Sequence, residues 1–244
     1  EKNPDFDIEK LDFNDKKTFE LISRGETAGI FQLESAGMKQ VLQNLRPESI
    51  DDVISVISLY RPGPMDSIPR FIECRHDASK VTYDIPELEP ILRSTYGCTV
   101  YQEQVMSIFR TIAGYTFGHA DIVRRAMSKK KADVLEAERE AFINGAKSNG
   151  IDAKKAEKLF DDMASFANYA FNKAHAVCYA VVSYQTAYLK CHYPKQYMAA
   201  LMTSVLDSAT KISGYIAECK DLHISVLPPD INHSFDHFSV EGKS

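Results

Sequence analysis

The chain has 244 residues, of which 44% are apolar and 26% charged, a composition typical of a globular protein with a substantial core. Its 29 basic and 34 acidic residues give a formal net charge of −5, which argues against a surface coated with basic charge for wrapping nucleic acid. The longest apolar stretch, 176–182, is too short to cross a bilayer, and the chain shows no export leader, so we expect a cytoplasmic protein without a membrane partner.

Helical spacing of apolar residues dominates the chain and predicts a mainly α fold. The acidic opening, which contains Pro4, reads as a tether. Asp15 is placed to cap the first helix, and Asp152 is placed to cap the helix that ends at 166. The predicted helices cover 15–24, 34–45, 50–59, 102–113, 120–127, 133–147, 152–166, 174–192, 194–206 and 211–220. A rigid turn at Arg61-Pro-Gly-Pro64 interrupts them. We also expect a few short β segments, one near 81–83 and the others in the C-terminal tail.

Two groups of residues resemble metal or disulfide sites only superficially. The five cysteines, an odd number, contain no Cys-x-x-Cys pair, so we expect reduced, buried or half-buried thiols and no metal site. Asp5 and Asp7 have the i, i+2 spacing that can hold two Mg²⁺ on a strand. They lie in an acidic leader that contains proline, so a catalytic role is not predicted for them.

Positive charge is concentrated in the segment 110–131. Six basic residues and the single acid Asp121 give this segment a net charge of +5, so the rest of the chain sums to −10; the basic residues are Arg110, Arg124, Arg125, Lys129, Lys130 and Lys131. No further acid follows until Asp133, which favours binding of phosphate by the arginine forks and lysine point charges. A solvated charged face is the alternative. The preceding Gly-aromatic stretch 114–119 could let the backbone approach a ligand.

A second unusual segment, Phe171-Asn-Lys-Ala-His175, leads into the most apolar predicted helix. His175 and Tyr179 are four residues apart and therefore share one face of that helix. Their rings could stack on a base, and Lys173 at the helix start could meet a phosphate. For His175 and Tyr179, packing in the core is an equally open alternative.

An ordered series of motifs resembles the bacterial replicative DNA polymerases of the C family, the alpha subunits of DNA polymerase III. The series covers nearly the whole chain and comprises Gly29-Ile-Phe-Gln-Leu-Glu-Ser35, Arg61-Pro-Gly-Pro64, Tyr96-Gly97, Tyr101-Gln-Glu-Gln-Val-Met106, Arg124-Arg-Ala-Met127, Lys129-Lys-Lys131, Phe171-Asn-Lys-Ala-His175, Ser183-Tyr-Gln185, His192-Tyr-Pro194 and Pro228-Pro-Asp-Ile-Asn232. One such match would be weak, but their common order makes the resemblance specific.

The resemblance implies that this chain is the fingers region of a DNA-directed DNA polymerase. It implies a connector from the palm at 1–16, a helical fingers domain at 17–222 and a short lead-out at 223–244. The catalytic aspartates of the family, which hold two Mg²⁺ ions, belong to the palm upstream, so we expect no catalytic residue and no bound cofactor here. The implied partners are primed template DNA, deoxynucleoside triphosphates, the remaining polymerase domains and replisome subunits such as the sliding clamp.

Residue roles follow from combining the resemblance with the charges. Arg124 and Arg125 are expected at the triphosphate, and the three lysines 129–131 at phosphate or DNA backbone. Lys173, His175 and Tyr179 are expected to line the nucleotide or the templating base. Arg61 is a weaker phosphate candidate, and bracing of helices is its alternative role. Two other functions stay open: a stand-alone helical DNA-binding module that uses 110–131, and a scaffold that docks an acidic helix.

Overall fold

The computed structural model of the chain describes residues 6–129, 132–167 and 169–241. Within these ranges the fold is mainly helical, as predicted, and none of the described helices is long and apolar enough to span a membrane. The α-helices in these ranges are α1 (Lys16–Ser23), α2 (Ala36–Leu45), α3 (Ile50–Leu59), α4 (Ile68–His76), α5 (Glu89–Leu92), α6 (Gln102–Ala113), α7 (Phe117–Ser128), α8 (Ala132–Ser148), α9 (Ala153–Phe166), α10 (Lys173–His192), α11 (Pro194–Thr203) and α12 (Ala209–Asp221).

The expected β segments are not found in the described part of the chain. The stretch 81–83 and the tail as far as Glu241 contain no strand, and the β-type pairing found among the described residues is an isolated bridge between Tyr101 and Phe171. A strand requires a neighbouring strand for its backbone hydrogen bonds, and neither run has one. The tail is instead attached through the Phe238 amide, which donates to the Thr203 hydroxyl over 3.1 Å.

Contacts divide the chain into two compact units, with the boundary inside α3 and α10. The first unit comprises Glu1–Ile50 and Tyr179–Ser244, and the second comprises Asp51–Cys178. In the second unit α6 packs against α7 and α8, and α8 packs against α9. Their shared core includes the rings of Phe109, Phe142 and Phe160, whose centroids lie 5.2 to 6.1 Å apart.

Side chains of α10 anchor the N-terminal part of the first unit. The Tyr184 hydroxyl donates to the Asp12 carbonyl over 2.8 Å and accepts from the Asp15 amide over 3.0 Å. The Lys190 ammonium, fully buried, donates to the carbonyls of Glu26 and Ala28 and to the Glu218 carboxylate. Three acceptors satisfy this buried charge, so the loop between α1 and α2 is held against α10 and α12.

Asp15 caps α1 as predicted, because its carboxylate accepts from the Thr18 amide over 3.0 Å. The same oxygen accepts from the Thr18 hydroxyl and lies 2.8 Å from His192 Nε2. The Cys191 thiol is also close, with the donor atoms of Asp15, Cys191 and His192 all within 4.8 Å of one another. This grouping is not evident from sequence spacing, and the hydrogen bonds of Asp15 account for it without a metal ion.

All five cysteines are free, and the expectation that they are buried or half-buried is wrong for Cys178. Cys74 and Cys219 are buried, whereas Cys178 on α10 is exposed. Burial raises the pKa of the Cys98 thiol to about 11 and also raises the pKa of Cys191 and Cys219. Thiols of this kind are weak nucleophiles at neutral pH.

Candidate functional site

Arg124 and Arg125 lie on α7 with unequal exposure. Their side chains are 13% and 67% exposed, respectively, because consecutive residues of a helix point about 100° apart. Both contact the same carboxylate: an Arg124 nitrogen lies 2.8 Å from one Asp121 oxygen, and an Arg125 nitrogen lies 2.7 Å from the other. Hydrogen bonding from Arg124 outweighs burial and, together with Arg125, holds the pKa of Asp121 below its ordinary value.

Asp121 therefore partly neutralises both arginines. Asp121 precedes them by three and four residues, which places all three side chains on neighbouring positions of one helix surface. Two arginines share one carboxylate, so this turn of α7 keeps a net charge of +1. Arg125 is the cation of the pair that solvent reaches most easily.

The lysine run follows at the end of α7. Lys129 is the C-terminal capping residue of the helix, and its amide donates to the carbonyls of Arg125 and Ala126 over 3.1 and 3.2 Å. The residue is exposed. Lys130 and Lys131 lie outside the described residues, so their predicted phosphate role stays a prediction.

The Gly-aromatic stretch 114–119 is not an open loop. Gly114 ends α6 with a left-handed φ of 74°, and Gly118 lies in the first turn of α7, which begins earlier than predicted. The ring of Tyr115 stacks on that of His119 at 4.4 Å, and both side chains contact the Glu138 carboxylate at 2.9 Å. The expected close approach of backbone to ligand is not supported, because the stretch is folded against α8.

The segment before α10 is fixed to the beginning of α6. The Phe171 amide donates to the Val100 carbonyl over 3.0 Å, and the Gln102 amide donates to the Phe171 carbonyl over 2.9 Å. The Gln102 side chain donates to the carbonyl of Ala170 over 3.1 Å. These bonds fix the position of the segment that immediately precedes Lys173 and His175.

Arg61 contacts the same segment from the Arg61-Pro-Gly-Pro64 turn. Its guanidinium carbon lies 4.5 Å from the centre of the Phe171 ring, and its nitrogens donate to the carbonyls of Tyr169 and Ser58. Burial lowers the pKa of Arg61. Of the two roles considered for Arg61, these contacts favour bracing of the fold. The bracing is made through backbone carbonyls and an aromatic ring. Phosphate binding by Arg61 stays a prediction.

The first turn of α10 is capped by Glu103. The Lys173 amide donates to both carboxylate oxygens over 3.2 and 3.1 Å, and the Asn172 side chain donates to one of them over 3.0 Å. The Asn172 side-chain oxygen accepts from the His175 amide over 2.9 Å. A carboxylate therefore occupies the amide at this helix start, and a phosphate contact of Lys173 stays a prediction.

Sequence reasoning missed Glu103, although the residue lies inside the quoted Tyr101-Gln-Glu-Gln-Val-Met106 motif. Glu103 and Lys173 are 70 residues apart, so no local spacing connects them. The Lys173 ammonium lies 5.3 Å from the centre of the Tyr101 ring, and the His175 ring lies edge-on to Phe171 at 5.5 Å. Lys173 is half-buried and His175 is exposed.

Tyr179 lies one helical turn beyond His175 on α10. Its ring is tilted against that of Phe31 at 5.2 Å, and the residue is half-buried. Phe31 belongs to the Gly29-Ile-Phe-Gln-Leu-Glu-Ser35 motif, and its carbonyl accepts from the Ser183 hydroxyl over 2.9 Å. Tyr179 therefore packs on one aromatic neighbour and keeps part of its ring accessible.

Comparison with known proteins gives a consistent result. A family model described as the bacterial DNA polymerase III alpha subunit finger domain matches residues 1–150. The chain is 48% identical over 241 residues to DNA polymerase III subunit alpha of Staphylococcus epidermidis, covering 99% of this chain and 23% of that protein.

Two further relatives carry the same name. The Thermus aquaticus protein is 47% identical over 247 residues, covering 99% of this chain and 20% of its own length. A Staphylococcus aureus protein is 51% identical over 228 residues, covering 93% of this chain and 21% of its own length. The chain thus spans between a fifth and a quarter of the curated relatives that it matches.

Proposed function

Because the chain belongs to the finger-domain family of the bacterial DNA polymerase III alpha subunit, we propose that it binds the incoming nucleotide in a DNA-directed DNA polymerase. In this proposal the polymerase acts on primed template DNA in chromosome replication. The chain contributes positive charge to the triphosphate and aromatic surface to the nascent base pair. Other domains of the polymerase, outside this chain, contribute the catalytic carboxylates.

One observation carries the proposal: α7 presents an exposed arginine beside a braced one. Nucleotide addition is an in-line attack of the primer 3′-hydroxyl on the α-phosphate, with pyrophosphate as the leaving group. Charge on the β and γ phosphates must be neutralised, and arginine forks match phosphate oxygens in geometry. We assign to Arg125 the direct contact with these phosphates. Arg124 makes the second contact when a phosphate oxygen takes the place of the Asp121 carboxylate.

Helix geometry supports a common location for the α7 and α10 residues. A connection of three residues joins α6 to α7, the two helices pack against each other, and we infer that they run antiparallel. Since α6 is about 18 Å long and Arg124 lies about 11 Å into α7, the arginines return towards the first half of α6. That end of α6 is where Phe171 is attached, ahead of Lys173 and His175.

Asp7, the described member of the Asp5 and Asp7 pair, does not fit the Mg²⁺ ions that such a polymerase requires. Asp7 accepts from the Glu9 amide over 3.0 Å and pairs with Lys10 at 3.1 Å, so it serves the local turn. Asp5 lies outside the described residues. We therefore assign the metal to domains beyond this chain and derive no step through it.

The test is steady-state incorporation by a complete alpha subunit that carries this chain as its finger region. Arg125→Ala should lower kcat/KM for the deoxynucleotide about 10- to 100-fold, as expected for the loss of a hydrogen bond between charged groups. Arg124→Ala should act in the same direction. Arg93→Ala is the matched control, because Arg93 is exposed and pairs with Glu89, four residues earlier in the chain. Unchanged kinetics in both α7 variants would contradict the proposal.

A further inference from the structure

We propose that Glu103 is a positioning residue for the nucleotide-binding surface, acting through the first turn of α10. The inference rests on the proposed function, since it concerns how Lys173 and His175 are presented. Neither composition nor motif spacing indicates this role. It follows from the contacts of one carboxylate with a helix that begins 70 residues later in the chain.

Glu103 satisfies backbone groups that the helix itself leaves unpaired. The first four amides of an α-helix have no intrahelical acceptor, and an acid near them is also stabilised by the helix dipole. Here one carboxylate accepts from the Lys173 amide with both oxygens and from the Asn172 side chain with one. Asn172 in turn accepts from the His175 amide, so the acid holds the Asn172 side chain and the Lys173 amide directly and the His175 amide through Asn172.

The attachment of Glu103 is itself rigid. Glu103 lies in the first turn of α6, and its neighbour Gln104 accepts from the amides of Val100 and Tyr101 over 2.8 and 2.9 Å. Gln102 on its other side is bonded to Phe171 and Ala170. The carboxylate is therefore presented from a fixed end of α6 to a fixed point on α10.

Because Glu103 occupies the helix start, an anionic ligand cannot use these amides while the carboxylate remains there. Lys173 then acts through its ammonium group, which lies over the Tyr101 ring, and His175 acts through its exposed ring. The role of Glu103 is to fix the directions in which these two side chains leave the helix. It is not assigned a contact with the nucleotide.

Kinetics of a complete alpha subunit carrying this chain test the inference. Glu103→Ala should raise KM for the deoxynucleotide about tenfold or more with a smaller change in kcat, because charged hydrogen bonds that order the binding surface are lost. Glu103→Gln should restore KM to within about threefold of the parent, since its amide oxygen still accepts from the Lys173 amide. Glu140→Ala, a change at an exposed glutamate of α8, is the control.

Amide hydrogen exchange in the present chain supplies a readout that does not depend on catalysis. The Lys173 and His175 amides should exchange about tenfold faster in Glu103→Ala and remain protected in Glu103→Gln. Unchanged exchange and unchanged KM in Glu103→Ala would overturn the inference. A Glu103→Gln variant as impaired as Glu103→Ala, or tighter nucleotide binding by either variant, would also overturn it.

The arginine variants separate this inference from the proposed function. If Arg124→Ala and Arg125→Ala leave incorporation unchanged, the proposed function fails, whatever the exchange data show. If they impair incorporation while Glu103→Ala does not, the function stands and the inference about Glu103 fails.

Discussion

Asp15 shows how a single carboxylate can serve two elements of the fold. Burial by itself raises the pKa of the Asp15 carboxyl, but hydrogen bonds from Thr18 and His192, and the charge of His192, hold it below its usual value of 3.8. A carboxyl whose pKa is lower in the folded state stabilises the fold above its unfolded pKa. That contribution is lost as pH falls through the folded pKa.

We therefore expect Asp15→Ala to lower the free energy of unfolding by about 0.5–2 kcal/mol at neutral pH, the usual effect of losing a helix cap. The difference from the parent chain should shrink below about pH 4, where the carboxyl of the unfolded chain becomes protonated, and should be smallest below the folded pKa. Urea denaturation at a series of pH values measures it. Asp207→Ala, at an exposed aspartate of the same unit, should have little effect at any pH. A difference that persists unchanged in acid would contradict the assignment.

At the scale of helices, packing of α8 depends on one residue without a side chain. A Cβ added to Gly145 would overlap the carbonyl oxygen of Ala113, the last residue of α6. Helix backbones come this close only where no side chain intervenes. Gly118 on α7 is the opposite case, because a Cβ there would meet nothing within 4 Å.

Gly145→Ala should therefore destabilise the chain by about 1–3 kcal/mol, the usual cost of overpacking, although alanine has the better helix propensity. Gly118→Ala should leave stability unchanged or raise it by up to about 1 kcal/mol. Thermal or urea unfolding of the two variants against the parent measures both effects. Equal stability of the two variants would contradict this account, because it would show that α6 and α8 can move apart without a cost in the free energy of unfolding.

Local patterns predicted most of these helices, and the failures have identifiable physical causes. Asp15 and Asp152 cap α1 and α9 where the sequence placed them, because capping is a local interaction. The helix α7 begins at Phe117, three residues before its predicted start, because the Thr116 hydroxyl caps it and Gly118 is accommodated in its first turn. The predicted β segments failed because strand formation depends on a distant partner that a local pattern does not reveal.

The same distinction applies to the candidate site. Arg124, Arg125, Lys173 and His175 were identified by charge and motif, which are visible in the sequence. Glu103, the acceptor at the start of α10, was not, because its partner is 70 residues away. Pairing of both arginines with Asp121 was foreseeable from the i, i+3 and i, i+4 spacing, yet the charge count alone concealed it.

For the whole molecule, charge distribution separates the proposed function from its main rival. A stand-alone DNA-binding module would require the segment 110–131 to hold DNA by itself. On duplex DNA, the logarithm of its binding constant would then fall with the logarithm of the salt concentration, with a slope of about −0.9 per phosphate neutralised. Asp121 neutralises part of that charge, and the chain as a whole is acidic. Both facts favour a surface that holds DNA and nucleotide only together with the other domains of a polymerase.

We thus expect the isolated chain to bind primed DNA weakly at physiological salt and to incorporate no nucleotide with Mg²⁺. Fluorescence anisotropy over a salt series and a primer-extension assay measure the two properties. Incorporation by the purified chain would contradict the assignment of the carboxylates to other domains. Tight binding with a steep salt slope would instead favour the DNA-binding module.

The exposure of Cys178 gives the proposed surface a native attachment point. This thiol lies on α10 immediately before Tyr179 and three residues after His175, whereas Cys74 and Cys219 are buried and burial raises the pKa of Cys98 and Cys191. A thiol-directed fluorophore or spin label therefore reacts preferentially beside the residues assigned to the nucleotide, without any engineered cysteine. The unmodified sequence thus carries its own reporter of occupancy.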